Sequence, residues 1–323
     1  MFIVAGNCRA FPLIETRVKS TTYIGFCRLI LTSTVKQGVL SSRPSLYSFL
    51  FCIAVGSLVT GSILLAPESD RAAVQSWTIL LTSGVATMTA LLFAFMLRKI
   101  GNTMARLVTY LAFGLLLWFV AEGVWMYYVN FLQVELPYPS LADVFYIAAY
   151  PLVGYSLHRL SRGASFKQEN RLVVSTIAVT ITAFITNVFI LEIVNSAVGF
   201  TQLVSDEVLI LAISVAYPLL DAYLFIPSII ILYTLRSSRE HLTWSLIAAS
   251  VLVMAVADTG FGYTALVEIQ ALSTVATWDI MYNISYIMLA TAMINGIMVE
   301  RSAREMYAPN KPRAGNKSAA VTS

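Results

Sequence analysis

Eight apolar runs, each long enough to cross a lipid bilayer as a helix, constrain this 323-residue chain more than any motif in it. A hydrocarbon core of ~30 Å takes about 20 helical residues. Runs of that kind fill about 46–66, 76–97, 105–128, 141–158, 172–194, 208–235, 242–266 and 278–299. They do not alternate in short segments as the strands of a membrane barrel do. The expected fold class is therefore all-α: a polytopic membrane helical bundle of eight transmembrane helices. Composition agrees, with 58% apolar and only 12% charged residues, where a water-soluble domain carries roughly 25% charged residues. That excludes an ordinary soluble enzyme, a disordered chain and a disulfide scaffold.

Lysine and arginine give the expected orientation, since they gather in cytoplasmic loops. Arg9, Arg17, Lys19, Arg28, Lys36 and Arg43 precede the first run, and Arg98, Lys99 and Arg106 follow the second. Arg159, Arg162, Lys167 and Arg171 follow the fourth, Arg236 and Arg239 the sixth, and Arg301, Arg304, Lys311, Arg313 and Lys317 the eighth. Only Arg71 falls on the other side. Both termini are thus expected in the cytoplasm, with the chain multi-pass in the cell membrane. The basic pI of 8.9 reflects this bias, so no nucleic-acid partner is implied; the expected surroundings are the lipid bilayer.

Residues 1–45 read as a cytoplasmic tail or interfacial segment. The apolar stretch from Thr21 to Val35 is too short for a span and has Arg28 at its centre, which costs about 2.5–3.5 kcal/mol to insert. Residues 300–323 read as a disordered cytoplasmic tail, with Pro309, Pro312 and Gly315. Cys8, Cys27 and Cys52 lie on the reducing side or in a span, so no disulfide and no metal site is expected. His158 and His241 both read as residues of the cytoplasmic boundary.

The polar residues inside the runs carry a repeat. Glu122 in the third run and Asp258 in the seventh are 136 residues apart. Asp143 and Asp279, Tyr146 and Tyr282, and Tyr150 and Tyr286 keep the same interval of 136 in the fourth and eighth. Two four-helix repeats are expected, 46–160 and 161–299. Four spans per unit leave both in the same orientation, related by an axis along the membrane normal. All four acids then fall towards the outer side, where Glu68, Asp70, Glu135, Glu192, Asp206, Glu207 and Glu268 add negative charge. Such a mouth attracts cations.

Each acid also has a purely structural reading. Ser140-Leu141-Ala142-Asp143 is a capping box, and Asp143 and Asp279 both stand in a first helical turn, where the macrodipole favours them. The tyrosines at i+3 and i+7 line a pocket or belong to an interfacial aromatic belt. Glu122 and Asp258 lie about two turns inside hydrocarbon, a costly place that marks a functional site by default. The plain alternative is a protonated acid bonded to a neighbouring helix. Trp118 and Trp125 share the Glu122 face and would give a bound cation aromatic walls. Asp221 sits deepest, in a run broken by Pro218 and Pro227. It is either a proton or cation site, or a group satisfying backbone freed by the prolines. Tyr217 and Ser214 share its face, and its counterpart at the 136-residue interval is Val85.

The segments Glu122-Gly-Val-Trp-Met-Tyr-Tyr and Leu136-Pro-Tyr-Pro-Ser-Leu-Ala-Asp-Val-Phe-Tyr-Ile-Ala-Ala-Tyr-Pro-Leu152 resemble a multi-helix integral-membrane sensory module. That module stands N-terminal to diguanylate cyclase/phosphodiesterase and histidine-kinase output domains. Ala216-Tyr-Pro-Leu-Leu-Asp221 is similar to a second element of it. The resemblance implies a sensory region. The two dozen residues after Glu300 hold no cyclase or kinase, so signalling would run through a separate output protein.

Two functions follow as expectations. One is a sensory or ligand-binding protein whose outer pocket takes a cation or small amphipathic ligand. Its pocket is formed by Glu122, Trp125, Asp143, Tyr146, Tyr150, Asp258, Asp279, Tyr282 and Tyr286. The other is a cation- or proton-coupled small-molecule transporter using Asp221. The chain shows no P-loop, no Gly-x-Ser-x-Gly and no lysine within a span, so no cofactor and no catalytic residue is expected.

Overall fold

The computed structural model describes residues 42–98, 103–133, 139–163, 168–196, 205–234, 241–266 and 272–307. Among them the chain forms eight α-helices: α1 (Ser42–Leu65), α2 (Glu68–Arg98), α3 (Thr103–Tyr127), α4 (Leu141–Gly163), α5 (Gln168–Ser196), α6 (Ser205–Thr234), α7 (His241–Leu266) and α8 (Leu272–Tyr307). All except α4 are long and apolar enough to cross a membrane. These are the helices of a multi-pass membrane protein, since helices satisfy every backbone group internally where no water is present. The stretch around Thr21–Val35, Cys8, Cys27 and the tail beyond Tyr307 lie outside the described residues, as do Glu135, Glu268 and the side chains of Glu192, Asp206, Glu207 and His241.

Six helices close into a ring. α2 packs on α3, α3 on α4, α4 on α6, α6 on α7, α7 on α8, and α8 returns to α2. α5 lies against α6 and touches α7, while α1 adds little contact to the ring. The interior is filled by Leu111, Leu115, Trp118, Tyr150, Val153, Ile247, Tyr286, Leu289 and Met293, all buried.

The two seams where residues before 164 meet residues after 204 are α4–α6 and α8–α2, and each is held close by a glycine. A Cβ on Gly154 would overlap the Tyr223 ring of α6, and one on Gly296 would come within 2.7 Å of the Phe93 ring of α2. The same seams carry polar links, buried in the first and exposed in the second. Thr82 donates to the Asn283 side chain at 2.9 Å across α2–α8, and the Tyr223 carbonyl lies 2.9 Å from His158 Nε2 across α4–α6.

Two helix ends differ from the sequence reading. α3 continues as a π-helical turn, Tyr128–Leu132, ended by Gln133 in the left-handed region at φ 55. Asn130 in that turn donates to Ser76 of α2 at 2.7 Å, which ties the wider turn down. α8 runs on to Tyr307 instead of ending near 299, so residues 300–307 are helical. An i,i+4 pair, Glu300–Arg304 at 3.1 Å, supports the extension, and Arg304 reaches the Met96 carbonyl at the end of α2 at 3.0 Å.

Candidate functional site

Inside the ring, near the end where α3 and α7 finish and α4 and α8 begin, carboxyl and phenol groups meet. Glu122 is buried and its Oε1 accepts from the Tyr286 hydroxyl at 2.9 Å; the Tyr146 hydroxyl faces the same carboxyl. Asp258 Oδ1 accepts from Tyr282 at 2.7 Å, and its Oδ2 lies 3.2 Å from the Tyr150 hydroxyl. Each acid is therefore clasped by one tyrosine from the helix that follows it and one from the opposite side of the ring. The pairs that make these matching contacts are 136 residues apart: Glu122 and Asp258, Tyr146 and Tyr282, Tyr150 and Tyr286. One turn further along α3 and α7, Trp125 and Phe261, also 136 apart, meet edge to face at 5.8 Å. Trp118 lies against the other side, its ring edge-on to Tyr150 at 6.0 Å.

The sequence placed Asp221 apart from this group, and the fold brings it in. Tyr150 donates to Asp221 Oδ1 at 2.7 Å, and the Asp221 and Asp258 carboxyls are within hydrogen-bonding reach of each other. Asp221 is only 6% exposed, and its Oδ2 is enclosed without a hydrogen-bond donor among the described residues. Its expected neighbour Tyr217 turns elsewhere and donates to Asp143 Oδ1 at 2.7 Å. Val85, the residue 136 before Asp221, is 53% exposed. The 136-residue interval that matches side chains of α3 and α4 with those of α7 and α8 therefore does not carry over from α6 to α2, whose buried polar side chains are Ser76, Thr82, Ser83 and Thr87.

Asp143 and Asp279 differ sharply. Asp143 Oδ2 accepts from the Ser140 backbone N–H at 2.7 Å and the Ser140 hydroxyl at 3.0 Å, while Ser140 Oγ accepts from the Ala142 N–H at 3.2 Å. This is the expected capping box, and with Tyr217 it closes the carboxylate off. Asp279 is half-buried near Glu122, and no described residue donates a hydrogen bond to its carboxyl. Beside it Trp278 packs directly on Gly260, with its indole N–H enclosed and unpartnered.

All nine residues expected to line a pocket thus lie at one end of one ring, and Asp221 and Tyr217 join them. Instead of an open pocket, most of the group is a closed network in which tyrosine donors answer carboxyl acceptors. No arginine or lysine enters it among the described residues, and no three His, Cys, Asp or Glu side chains there converge to hold a metal ion. Chemically the network can bind a proton or a cation. Sequence reasoning missed Phe261, although its 136-residue spacing from Trp125 was available, and missed the Tyr217–Asp143 bond, which no spacing signals. Comparison with protein-family models, curated proteins and solved structures finds no match for this chain.

Proposed function

We propose that this chain is a sensory or ligand-binding protein of the cell membrane, built as two like-oriented four-helix repeats with both termini cytoplasmic. The exchange of tyrosines between Glu122 and Asp258 supports the duplication: each repeat completes the other's acid site. Eight spans then follow, with α4 crossing beside the seven more apolar helices, its Asp143 end outward and its Arg159 and Arg162 end inward.

The observation that carries the function is the state of Asp279. It is the one acid of this group without a hydrogen-bond donor among the described residues, and it stands half-buried beside Glu122 at the outer end. A carboxyl in that position lacks its stabilising partner, and a cationic or small amphipathic ligand supplies one. Trp125, Phe261 and Trp278 offer aromatic surface nearby for its apolar part. Binding there alters the packing of α7 and α8 against α2 and α3. Basic cytoplasmic loops then pass the change to a separate output protein, as the resemblance to sensory modules implies. The test is thermal melting of the purified protein across panels of amines and inorganic cations, with Glu122→Gln and Asp279→Asn alongside. A ligand that raises the melting temperature of the wild type and not of Asp279→Asn supports the reading; identical melting of all three with every ligand removes it.

Asp221 favours a second reading, a cation- or proton-coupled transporter. It is a deeply buried acid with an uncommitted oxygen, on a helix interrupted by Pro218 and Pro227, and such helices form midplane sites in transporters. Flux into proteoliposomes that disappears in Asp221→Asn would establish it.

A further inference from the structure

We infer that Asp221, Asp258 and Tyr150 form a site for a single proton, held between the two carboxyls where α4, α6 and α7 meet. It rests on the reading that the carboxyl–tyrosine network is the working centre of the molecule, and it adds what that centre stores.

The hydrogen atoms can be counted. Tyr282 supplies one to Asp258 Oδ1. Tyr150 has one to give to two carboxyls, and the shorter contact, 2.7 Å against 3.2 Å, assigns it to Asp221 Oδ1. Asp258 Oδ2 then faces a hydroxyl oxygen whose hydrogen points elsewhere, and Asp221 Oδ2 is enclosed with no donor among the described residues. Two bare carboxylates in hydrogen-bonding reach of each other repel, and a buried acceptor without a donor is unfavourable. One proton between them satisfies both oxygens and leaves the pair with a single negative charge. Glu122 shares neither of its tyrosines with a second carboxyl, since Tyr286 and Tyr146 both face it.

The surrounding groups do not supply an alternative. α4 presents Asp143, Tyr146 and Tyr150 towards this region, with His158 about two turns beyond Tyr150 and engaged by the Tyr223 carbonyl. α6 adds Tyr217, already given to Asp143. α7 contributes Asp258, α8 contributes Tyr282, Tyr286 and Asp279, and α3 contributes Glu122. The described side chains of α5 within its apolar stretch include no acid and no base. Loss of the proton would place two charges side by side at the joint of three helices, so occupancy of the site is coupled to how α6 packs.

The experiment is infrared difference spectroscopy of the full chain in lipid, without added ligand, recording the C=O band of a protonated carboxylic acid and its downshift in D2O. The wild type at neutral pH should show the band. Asp221→Asn should abolish the component of it that Glu122→Gln and Asp279→Asn both leave in place, and that component is the diagnostic one. Asp258→Asn offers an amide N–H to the enclosed Asp221 oxygen, so it too should remove the band, which covers the case in which Asp221→Asn does not fold. Absence of the band in the wild type, its survival in both aspartate variants, or its disappearance on adding sodium at fixed pH would each overturn the proposal; the last would reveal a cation site instead. Because no ligand enters the measurement, its failure is separate from failure of the outer binding site, which the melting panels read.

Discussion

Glu122 and Asp258 occupy matching places on opposite sides of the same ring, yet they are not equivalent sites. Each has a tyrosine from its neighbouring helix and one from across the ring. Around Glu122 the donors match the acceptors. Around Asp258 a second carboxyl, Asp221, draws the Tyr150 hydroxyl towards itself. The difference teaches that two similar clasps support two chemistries, a carboxyl with two tyrosines to itself on one side and a carboxyl pair sharing one hydroxyl on the other. It originates in α6, whose inward face carries an acid where α2 carries serine and threonine.

The largest effect should separate the two cross-ring tyrosines. Tyr150→Phe removes the donor from a carboxyl pair, whereas Tyr286→Phe leaves Glu122 still facing Tyr146. Buried hydrogen bonds to charged groups are worth about 1.5–3 kcal/mol in soluble proteins, and interhelical ones in membrane interiors about 0.6 kcal/mol on average and up to about 1.7 kcal/mol. Tyr150→Phe should therefore lower stability by about 2–3 kcal/mol and Tyr286→Phe by about 1 kcal/mol, read by reversible unfolding in mixed micelles. Equal losses would mean that Asp221 is not coupled to Asp258.

The two seams offer the next comparison. Gly154→Ala drives a methyl into Tyr223, and Gly296→Ala drives one into Phe93. Tyr223 is 39% exposed and can swing outward; Phe93 is 6% exposed and enclosed. Overpacking of an enclosed ring costs about 1–3 kcal/mol, partly offset by alanine's better helix propensity of about 1 kcal/mol. Gly296→Ala should thus be the more harmful, by about 1 kcal/mol, although Gly154 makes the closer contact. The same unfolding measurement decides it.

The helices were readable because apolar runs of bilayer length are hard to misread, and the chemistry was readable because acids are rare inside them. What the sequence withheld was rotation. In a soluble helix the apolar stripe marks the inner face; in these helices every face is apolar, so nothing in the pattern says that Val85 points out and Asp221 in. Which tyrosine meets which acid depends on the α4–α6 and α8–α2 seams, and those are contacts between distant parts of the chain. Asn283 and Asn295, which bind Thr82 and Thr243, were overlooked because a lone amide in an apolar run carries no spacing. The capping box at Ser140–Asp143 was fully legible, since all its parts lie within four residues.

That last case sets up the smallest and most discriminating expectation. Asp143 and Asp279 begin matching helices, but Asp143 accepts three hydrogen bonds while Asp279 accepts none from the described residues. Asp143→Ala should cost about 1–2 kcal/mol, through loss of the cap and of the Tyr217 contact. Asp279→Asn replaces the carboxyl without removing any hydrogen bond from a described residue, so stability should change by less than about 0.5 kcal/mol. A residue that contributes so little to folding, yet is held half-buried in an apolar helix, is placed for something outside the fold. If Asp279→Asn instead destabilised the protein as much as Asp143→Ala does, Asp279 would be a second structural cap and this end of the ring would hold no acid left over for a ligand.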